Sequence, residues 1–357
     1  MGWPEIVKML FSKRVFVLIV SACMCLVLFY RLYLSHPNLP QEESKGPPPT
    51  LLTVPASWNQ GILPDAEHCF QPQEMEDVMV VMKTGVTESA SKMPVHLATT
   101  LRCVPHFAIF SDFEENFEAY DNGTFRRVRS VDCLRRLNAT IRDTHPDFEL
   151  YKRVREFGRA GLRREDFALP DEDSPFGKKD NPGWKLDKWK FLPMVEEALE
   201  LRPEAKWYVF MEADSYIIWP NLIRWLSVLN ATQPYYLGSQ MQIGDVVFAY
   251  GGAGIILSHE AMVRVVKHRA QHETELNTYT DNHWAGDCVL GKALADAGVR
   301  FDWAWPIMQT SRVLEVNPFA NGYGRRAWCH PIVSFHHMTT DDIQMIWQFE
   351  QQFFEQV

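Results

Sequence analysis

The sequence predicts an α/β protein, a mixed sheet flanked by helices, preceded by a single N-terminal transmembrane helix. Three observations support this fold class: an uncharged apolar run near the N-terminus, a Pro-rich polar segment after it, and alternating strand-like and helix-like segments beyond. The chain has 357 residues and is 46% hydrophobic, so it can bury a large core. Its formal net charge of -9 argues against a general nucleic-acid-binding protein, which needs a basic surface.

The N-terminal apolar run predicts a membrane anchor at residues 15–34. It has the length of a spanning helix, roughly 20 residues, if Arg31 extends its charged end to the interface. Lys8, Lys13 and Arg14 precede it, which predicts a cytosolic tail at residues 1–14 and a lumenal body. A cleaved signal peptide is the alternative, although no small-residue cleavage site follows. The Pro-rich segment at residues 35–68 predicts an extended lumenal stem.

Glycosylation signals and cysteines agree with a lumenal body. The sequons at Asn122, Asn138 and Asn230 all follow the predicted anchor. Five cysteines also follow it, and an odd number leaves at least one without an intramolecular partner: Cys69, Cys103, Cys133, Cys288 and Cys329.

Residues 69–357 predict one catalytic-size domain. Short apolar runs at 77–82, 106–110 and 207–211 predict buried strands, and segments at 88–101 and 188–201 predict helices between them. Residues 116–183 are charged and predict an irregular insertion with a helical stretch over Arg126–Asp143.

The strand at 207–211 ends in Glu212-Ala213-Asp214. Open α/β sheets bind ligands at the carboxyl ends of their strands, and two carboxylates two residues apart there can hold one Mg²⁺ or Mn²⁺ that bridges to phosphates. Solvated turn residues are the simpler interpretation of these three residues alone.

The ordered combination of motifs resembles glycosyltransferase family 31, most closely its fungal branch related to core-1 β1,3-galactosyltransferases. The resemblance covers roughly residues 69–350. Its most specific stretches are residues 110–112 (FSD), 183–188 (GWKLDK), 212–216 (EADSY), 236–239 (YLGS), 251–254 (GGAG), 286–291 (GDCVLG) and 334–337 (SFHH).

This resemblance implies the GT-A fold, a UDP-sugar donor and Mn²⁺ (or Mg²⁺) as the cofactor. It implies Asp214, Glu212 and His336 as metal ligands, with His337 as the alternative to His336. Glu212 stands where the family usually has aspartate, so its contact could be metal, water or ribose. A structural histidine is the alternative for His336.

Asp287 matches the family's catalytic base, which takes the proton from the acceptor hydroxyl. Gly286 precedes it where the family has an acidic residue, and a helix N-cap is the alternative role for Asp287. The nucleotide-sugar-binding candidates are Lys83, Thr84, Asp112, Lys185, Lys188, Gly251 and Gly252. Aromatic side chains could stack on sugars, but the sequence selects none among Trp184, Trp303, Trp305, Tyr323 and Trp328.

The resulting expectation is a type II Golgi or endoplasmic reticulum membrane protein. It transfers a hexose, galactose favoured, from a UDP-sugar to a glycan or glycoprotein acceptor with inversion, making a β1,3 linkage, and it binds no nucleic acid. Two alternatives remain: an inactive sugar-binding relative of the same fold, and a metal-dependent glycan hydrolase, for which no flanking pair of carboxylates is evident.

Overall fold

The computed structural model describes residues 75–121, 124–167 and 181–355. The predicted tail, anchor and stem at residues 1–68 lie outside the described residues, as does Asn122. Within the described ranges, no helix combines the length and the apolar character needed to cross a membrane. These ranges all fall within one compact unit, Pro64–Val357.

Strands and helices alternate along the described chain. The strands are β1 (Val78–Lys83), β2 (Phe107–Ser111), β3 (Asn116–Asp121), β4 (Thr124–Asp132), β5 (Trp207–Glu212), β6 (Tyr216–Ile217), β7 (Tyr236–Gly238), β8 (Gln240–Ile243), β9 (Val246–Ala249), β10 (Ile255–Ser258), β11 (Phe301–Trp303), β12 (Asn321–Gly322), β13 (Arg325–Arg326) and β14 (Ser334–Phe335). The α-helices are α1 (Ser89–Ala98), α2 (Ala139–Thr144), α3 (Glu149–Phe157), α4 (Pro182–Leu201), α5 (Trp219–Leu226), α6 (His259–Gln271), α7 (Glu273–Asp281), α8 (Gly286–Asp296) and α9 (Thr340–Glu355).

A mixed sheet of eight strands forms the centre, in the order β11-β7-β10-β5-β1-β2-β4-β3. Strands β5, β1, β2 and β4 run parallel, whereas β10 runs antiparallel to both β5 and β7. The predicted mixed α/β architecture is therefore confirmed for the described residues.

The central strands are apolar on both faces because helices cover both. In β1, Met79 and Val81 pack in one cluster with Phe191 of α4, while Val80 and Met82 pack in a second cluster with Met93 of α1. Burial on both sides explains the continuous apolar runs that predicted these strands.

Residues 116–167 differ from the irregular insertion that the sequence predicted. Strands β3 and β4 form an antiparallel hairpin, and β4 continues the main sheet by pairing with β2. The predicted helix over Arg126–Asp143 is wrong for its first part, which is strand as far as Asp132. Exposed Arg127 and Arg129 alternate with half-buried Val128 and buried Ser130, which is the two-residue period of a strand with one exposed face.

Two predicted glycosylation sites lie on the described surface. Asn138 is exposed and caps α2, and Asn230 is exposed just after α5. Among the described cysteines, Cys133, Cys288 and Cys329 are free, whereas Cys103 is disulfide-bonded.

Candidate active site

The loop after β5 is held at the carboxyl edge of the sheet. The Ser215 hydroxyl accepts a hydrogen bond from the Glu212 N–H (3.1 Å) and donates one to the carbonyl of Gly252 (2.7 Å). On the other side, Nε2 of buried His96 lies 2.9 Å from the carbonyl oxygen of Ala213. These bonds fix the direction in which the Glu212 and Asp214 side chains leave the strand.

A distant segment brings His336 to this loop. Strand β14 pairs with β6, so that Phe335 lies opposite Tyr216, and the N–H of Met338 donates to the carbonyl of Asp214 (2.8 Å). The backbone N–H of His336 donates to the carbonyl of Ser311 (3.2 Å). His336 therefore stands beside Asp214 because of backbone pairing on both sides of it.

Asp214, His336 and His337 form a cluster suited to one metal ion. Each offers a ligand atom, and these atoms lie within 4.8 Å of one another. Oδ1 of Asp214 lies 3.3 Å from Nε2 of His336, close to the roughly 3 Å between neighbouring ligands of an octahedral ion with bonds of about 2.1 Å. Nδ1 of His336 is buried without a hydrogen-bond partner, so this ring is not committed to a purely structural network. The residues fit a divalent cation.

The same cluster polarises its members. Burial alone would raise the pKa of Asp214, but the adjacent His336 lowers it below the ordinary range. Conversely, burial would lower the pKa of His336, and Asp214 raises it above its usual value. Asp214 is thus a carboxylate at any physiological pH, as a metal ligand must be.

Glu212 is not part of this cluster and pairs with Lys83. Its Oε1 lies 3.0 Å from Nζ of Lys83, which is also 2.5 Å from Oδ2 of Asp187. Lys83 and Glu212 end neighbouring parallel strands in register, and this register explains why they meet. Burial would lower the pKa of Lys83, but the two carboxylates raise it above its ordinary value. The positive charge of Lys83 is therefore already balanced by the carboxylates of Asp187 and Glu212.

Thr84 and Asp112, two of the predicted nucleotide-sugar contacts, are both buried. Asp112 is buried, with its carboxylate accepting from the N–H of Val86 (2.8 Å) and lying 2.9 Å from Nζ of Lys190. Lys190 also donates to the carbonyl of buried Thr84 (2.8 Å). Asp112 and Lys190 hold the turn after β1 in place. A nucleotide at this turn would therefore contact its backbone.

The two lysines predicted at the diphosphate, Lys185 and Lys188, lie on α4. Lys188 pairs with Asp147 (2.9 Å) and donates to the carbonyl of Asp281 (3.0 Å). Lys185 is half-buried one turn earlier on the same helix. The structure therefore does not bring Lys188 to Asp214, and the diphosphate role of both lysines stays a prediction.

Gly251 and Gly252 form a floor without side chains beneath the site. A Cβ on Gly252 would lie 1.9 Å from Nε2 of His336, and one on Gly251 would lie 2.6 Å from Oε1 of Glu212. Only glycine allows so close an approach of the backbone to these side chains. Here the glycines contact site side chains directly.

Asp287 completes the floor on its other side. Its carboxylate accepts from the N–H of Gly251 (2.9 Å) and from the N–H of Cys288 (2.8 Å). The N-cap alternative is wrong, because α8 begins at Gly286 with Ala285 as its N-cap. Burial raises the pKa of Asp287 to about 6, although the bond from Gly251 opposes the rise. Its carboxylate is thus a base poised just below neutral pH.

Sequence reasoning assigned no role to several of the residues at this edge. Asp187 and Lys190 stand three residues apart on α4, so the spacing placed them on one helix face. Glu88, whose pKa burial raises to about 7, comes directly before α1. No sequence signal separates these buried charges from solvent-facing ones, because both occur on amphipathic helices.

A broad concavity lies near the opposite, amino-terminal edge of β1 and β5, between α5 and α9. Lys206 and Phe349 are among the residues that line it, and none of the site residues does.

Part of this chain is similar to known proteins. Residues 187–302 match the family model described as Fringe-like. A curated relative, glycoprotein-N-acetylgalactosamine 3-beta-galactosyltransferase 1 of Xenopus laevis, is 30% identical over 125 residues. That alignment covers 34% of this chain, which spans about a third (35%) of the length of the relative it matches. The segment that matches the family model contains the loop of Glu212 and Asp214, Gly251 and Gly252, and Asp287. The comparisons therefore support the resemblance to glycosyltransferase family 31 for residues 187–302, which are similar to the Fringe-like family.

Proposed function

We propose that this protein is a metal-dependent, inverting glycosyltransferase of the GT-A fold, which transfers a hexose from a UDP-sugar to an acceptor hydroxyl. One observation carries the proposal: two consecutive glycines contact the proposed catalytic base and a proposed metal ligand. Gly251 donates its N–H to Asp287, and Gly252 lies against His336. Since neighbouring Cα atoms are about 3.8 Å apart, the proposed base and the proposed metal ligand flank one small floor.

The local charge explains why a cation is needed. Carboxylates outnumber ammonium groups at this edge: Glu88, Asp112, Asp187, Glu212, Asp214 and Asp287 against Lys83, Lys92 and Lys190. A diphosphate entering such a site would be repelled unless a divalent cation came with it. Mn²⁺, or Mg²⁺, held by Asp214, His336 and His337 would neutralise the charge that develops on the departing diphosphate. Glu212 would not bind the cation directly but would hold the ammonium group of Lys83 in place.

Asp287 would carry the proton transfer. At neutral pH its carboxylate is largely ionised, because its pKa is about 6. It would take the proton from the acceptor hydroxyl as that oxygen forms a bond to the anomeric carbon. The bond from that carbon to the UDP oxygen breaks, and its electron pair leaves with the diphosphate. General-base help of this kind contributes on the order of 100- to 10,000-fold.

The finer assignments rest on the relative and on the sequence. The Xenopus relative's name specifies a 3-beta-galactosyltransferase acting on N-acetylgalactosamine. We therefore favour galactose as the donor sugar, a β1,3 linkage and a glycan or glycoprotein acceptor. The proposed setting is the lumen of the Golgi or endoplasmic reticulum, with a single-pass anchor at residues 15–34 and glycans at Asn138 and Asn230.

A donor screen tests the proposal. The lumenal protein is incubated with UDP-galactose, UDP-glucose or UDP-N-acetylglucosamine and Mn²⁺, with and without a chelator, and UDP release is measured. We expect release that stops with the chelator, and a β-linked product when an acceptor is present. A retained α-linkage would exclude single displacement. No release with any donor would favour the alternative of an inactive sugar-binding relative.

A further inference from the structure

An aromatic shelf stands at the same sheet edge as the proposed metal site. It consists of Trp303, Trp305 and Tyr323, whose rings lie 4.6 to 6.0 Å apart between centroids. The two indoles are nearly parallel (25°), and the phenol ring stands almost perpendicular to both (84° and 74°). Tyr323 is 83% exposed, so its outer surface is open to a ligand.

The register of the sheet places this shelf relative to the site. Trp303 ends β11 opposite Gly238 of β7, which lies opposite Ile255 of β10, which in turn lies opposite Phe210 of β5. The shelf is therefore three strand spacings, about 14 Å, from the strand that carries Glu212. It lies on the far side of β5 from Lys83 and Lys190, the side proposed here for the nucleotide.

The polypeptide that carries Tyr323 also starts and ends at the metal site. Ser311 accepts the backbone bond from His336, and the N–H of Gln309 donates to the carbonyl of Ser334 (3.0 Å). Between these anchors the chain runs out to the hairpin of β12 and β13 and returns. The hairpin docks on Trp305, because Arg325 donates to its carbonyl and Gly322 lies against its ring.

Tyr323 occupies a strained position. The hairpin turn consists of Tyr323 and Gly324, both with positive φ (53° and 74°). A two-residue turn of this kind favours asparagine or glycine first, and a bulky residue there is strained. Since Tyr323 is mostly exposed, contacts within the protein bury little of its ring. Strained residues concentrate where a side chain meets a ligand.

We infer that the shelf of Trp303, Trp305 and Tyr323 binds a pyranose ring of the acceptor, adjoining the ring that carries the reacting hydroxyl. The negative face of an aromatic ring attracts the polarised C–H groups on the apolar face of a sugar. The shelf lies across β5 from the nucleotide side, which leaves this side of the sheet edge for an acceptor. The assignment of the sugar as acceptor rests on the proposed transferase function, whereas sugar binding itself does not.

Saturation-transfer NMR without UDP or metal tests the inference, with lactose and benzyl N-acetyl-α-galactosaminide as probes. Tyr323→Asn removes the ring while keeping a residue that suits the turn, so folding is preserved. We expect wild-type protein to transfer saturation to the sugar-ring protons, and Tyr323→Asn to weaken binding about 2- to 10-fold. Tyr323→Phe keeps the ring and is expected to bind like wild type.

Trp328→Ala is the matched control, because Trp328 is an exposed indole on the same excursion, stacked on Phe319 outside the shelf. Equal binding by wild type and Tyr323→Asn, an equal loss in Trp328→Ala, or no signal from either sugar would overturn the inference. Hydrolysis of UDP-galactose by the wild-type protein is measured in parallel. Its absence from wild type would count against the transferase function and leave the binding result intact.

Discussion

Asp214 and Glu212 leave the same strand end two residues apart, yet their surroundings differ. Asp214 faces two imidazoles whose ligand atoms could share a cation with it. Glu212 faces Lys83, which Asp187 also holds, in a network of paired buried charges that continues to Lys190 and Asp112. The two carboxylates of one acidic motif can therefore have different roles. The Asp214 carboxylate is placed where it could bind a cation, whereas the Glu212 carboxylate pairs with Lys83.

The largest expected effect is on stability and falls on the paired network. Lys190→Met leaves Asp112 buried without its cation, and losing one partner of a buried pair costs about 3–5 kcal/mol in the free energy of unfolding. Urea denaturation measures it. Lys185→Met, a half-exposed lysine on the same helix, is the control and should change the free energy of unfolding little. Equal effects of the two substitutions would show that the network is not structural.

The metal cluster should respond in activity. Asp214→Asn removes the only carboxylate of the cluster, so we expect Mn²⁺ binding to be lost and kcat to fall on the order of 100- to 1,000-fold. Calorimetry and UDP release measure these two quantities. Urea denaturation of Asp214→Asn in parallel distinguishes loss of a metal ligand from loss of the folded state. Exposed Asp341 provides the control as Asp341→Asn, and unaltered Mn²⁺ binding by Asp214→Asn would remove the cluster from the mechanism.

Glu212→Gln tests the division between the two carboxylates directly. It weakens the hold on Lys83 while leaving Asp187 in place. We expect Mn²⁺ affinity to fall by no more than about tenfold, the lower end for a residue behind the ligands. Calorimetry alongside Asp214→Asn makes the comparison. Complete loss of Mn²⁺ binding in Glu212→Gln would mean that both carboxylates are ligands.

The smallest effect concerns pH and extends the comparison to Asp287. Burial raises the pKa of this carboxyl to about 6, so protonation below that pH removes the base. We expect kcat/KM to fall about tenfold per pH unit below pH 6. Glu88, with a pKa of about 7, could produce a similar inflection. A pH profile of Glu88→Gln separates them, because the inflection should persist there if Asp287 causes it.

Much of the fold was predictable, because helices cover both faces of β1 and β5 and such strands are continuous apolar runs. Strand β4 was missed although Arg127 and Arg129 alternate with Val128 and Ser130, because the high charge of this segment favoured a polar helix. Within the site, the pairing of Asp214 with His336 followed from the family resemblance. The burial of Lys190 did not, because whether a helical lysine meets solvent or Asp112 depends on tertiary packing alone.

The pairing of β14 with β6 has a consequence for the order of assembly. During synthesis, Lys83 on β1 and Asp214 in the loop after β5 emerge before His336 and His337. A nascent polypeptide lacking β14 could build the central strands and still be unable to coordinate a cation. Manganese affinity would thus report that β14 has docked against β6.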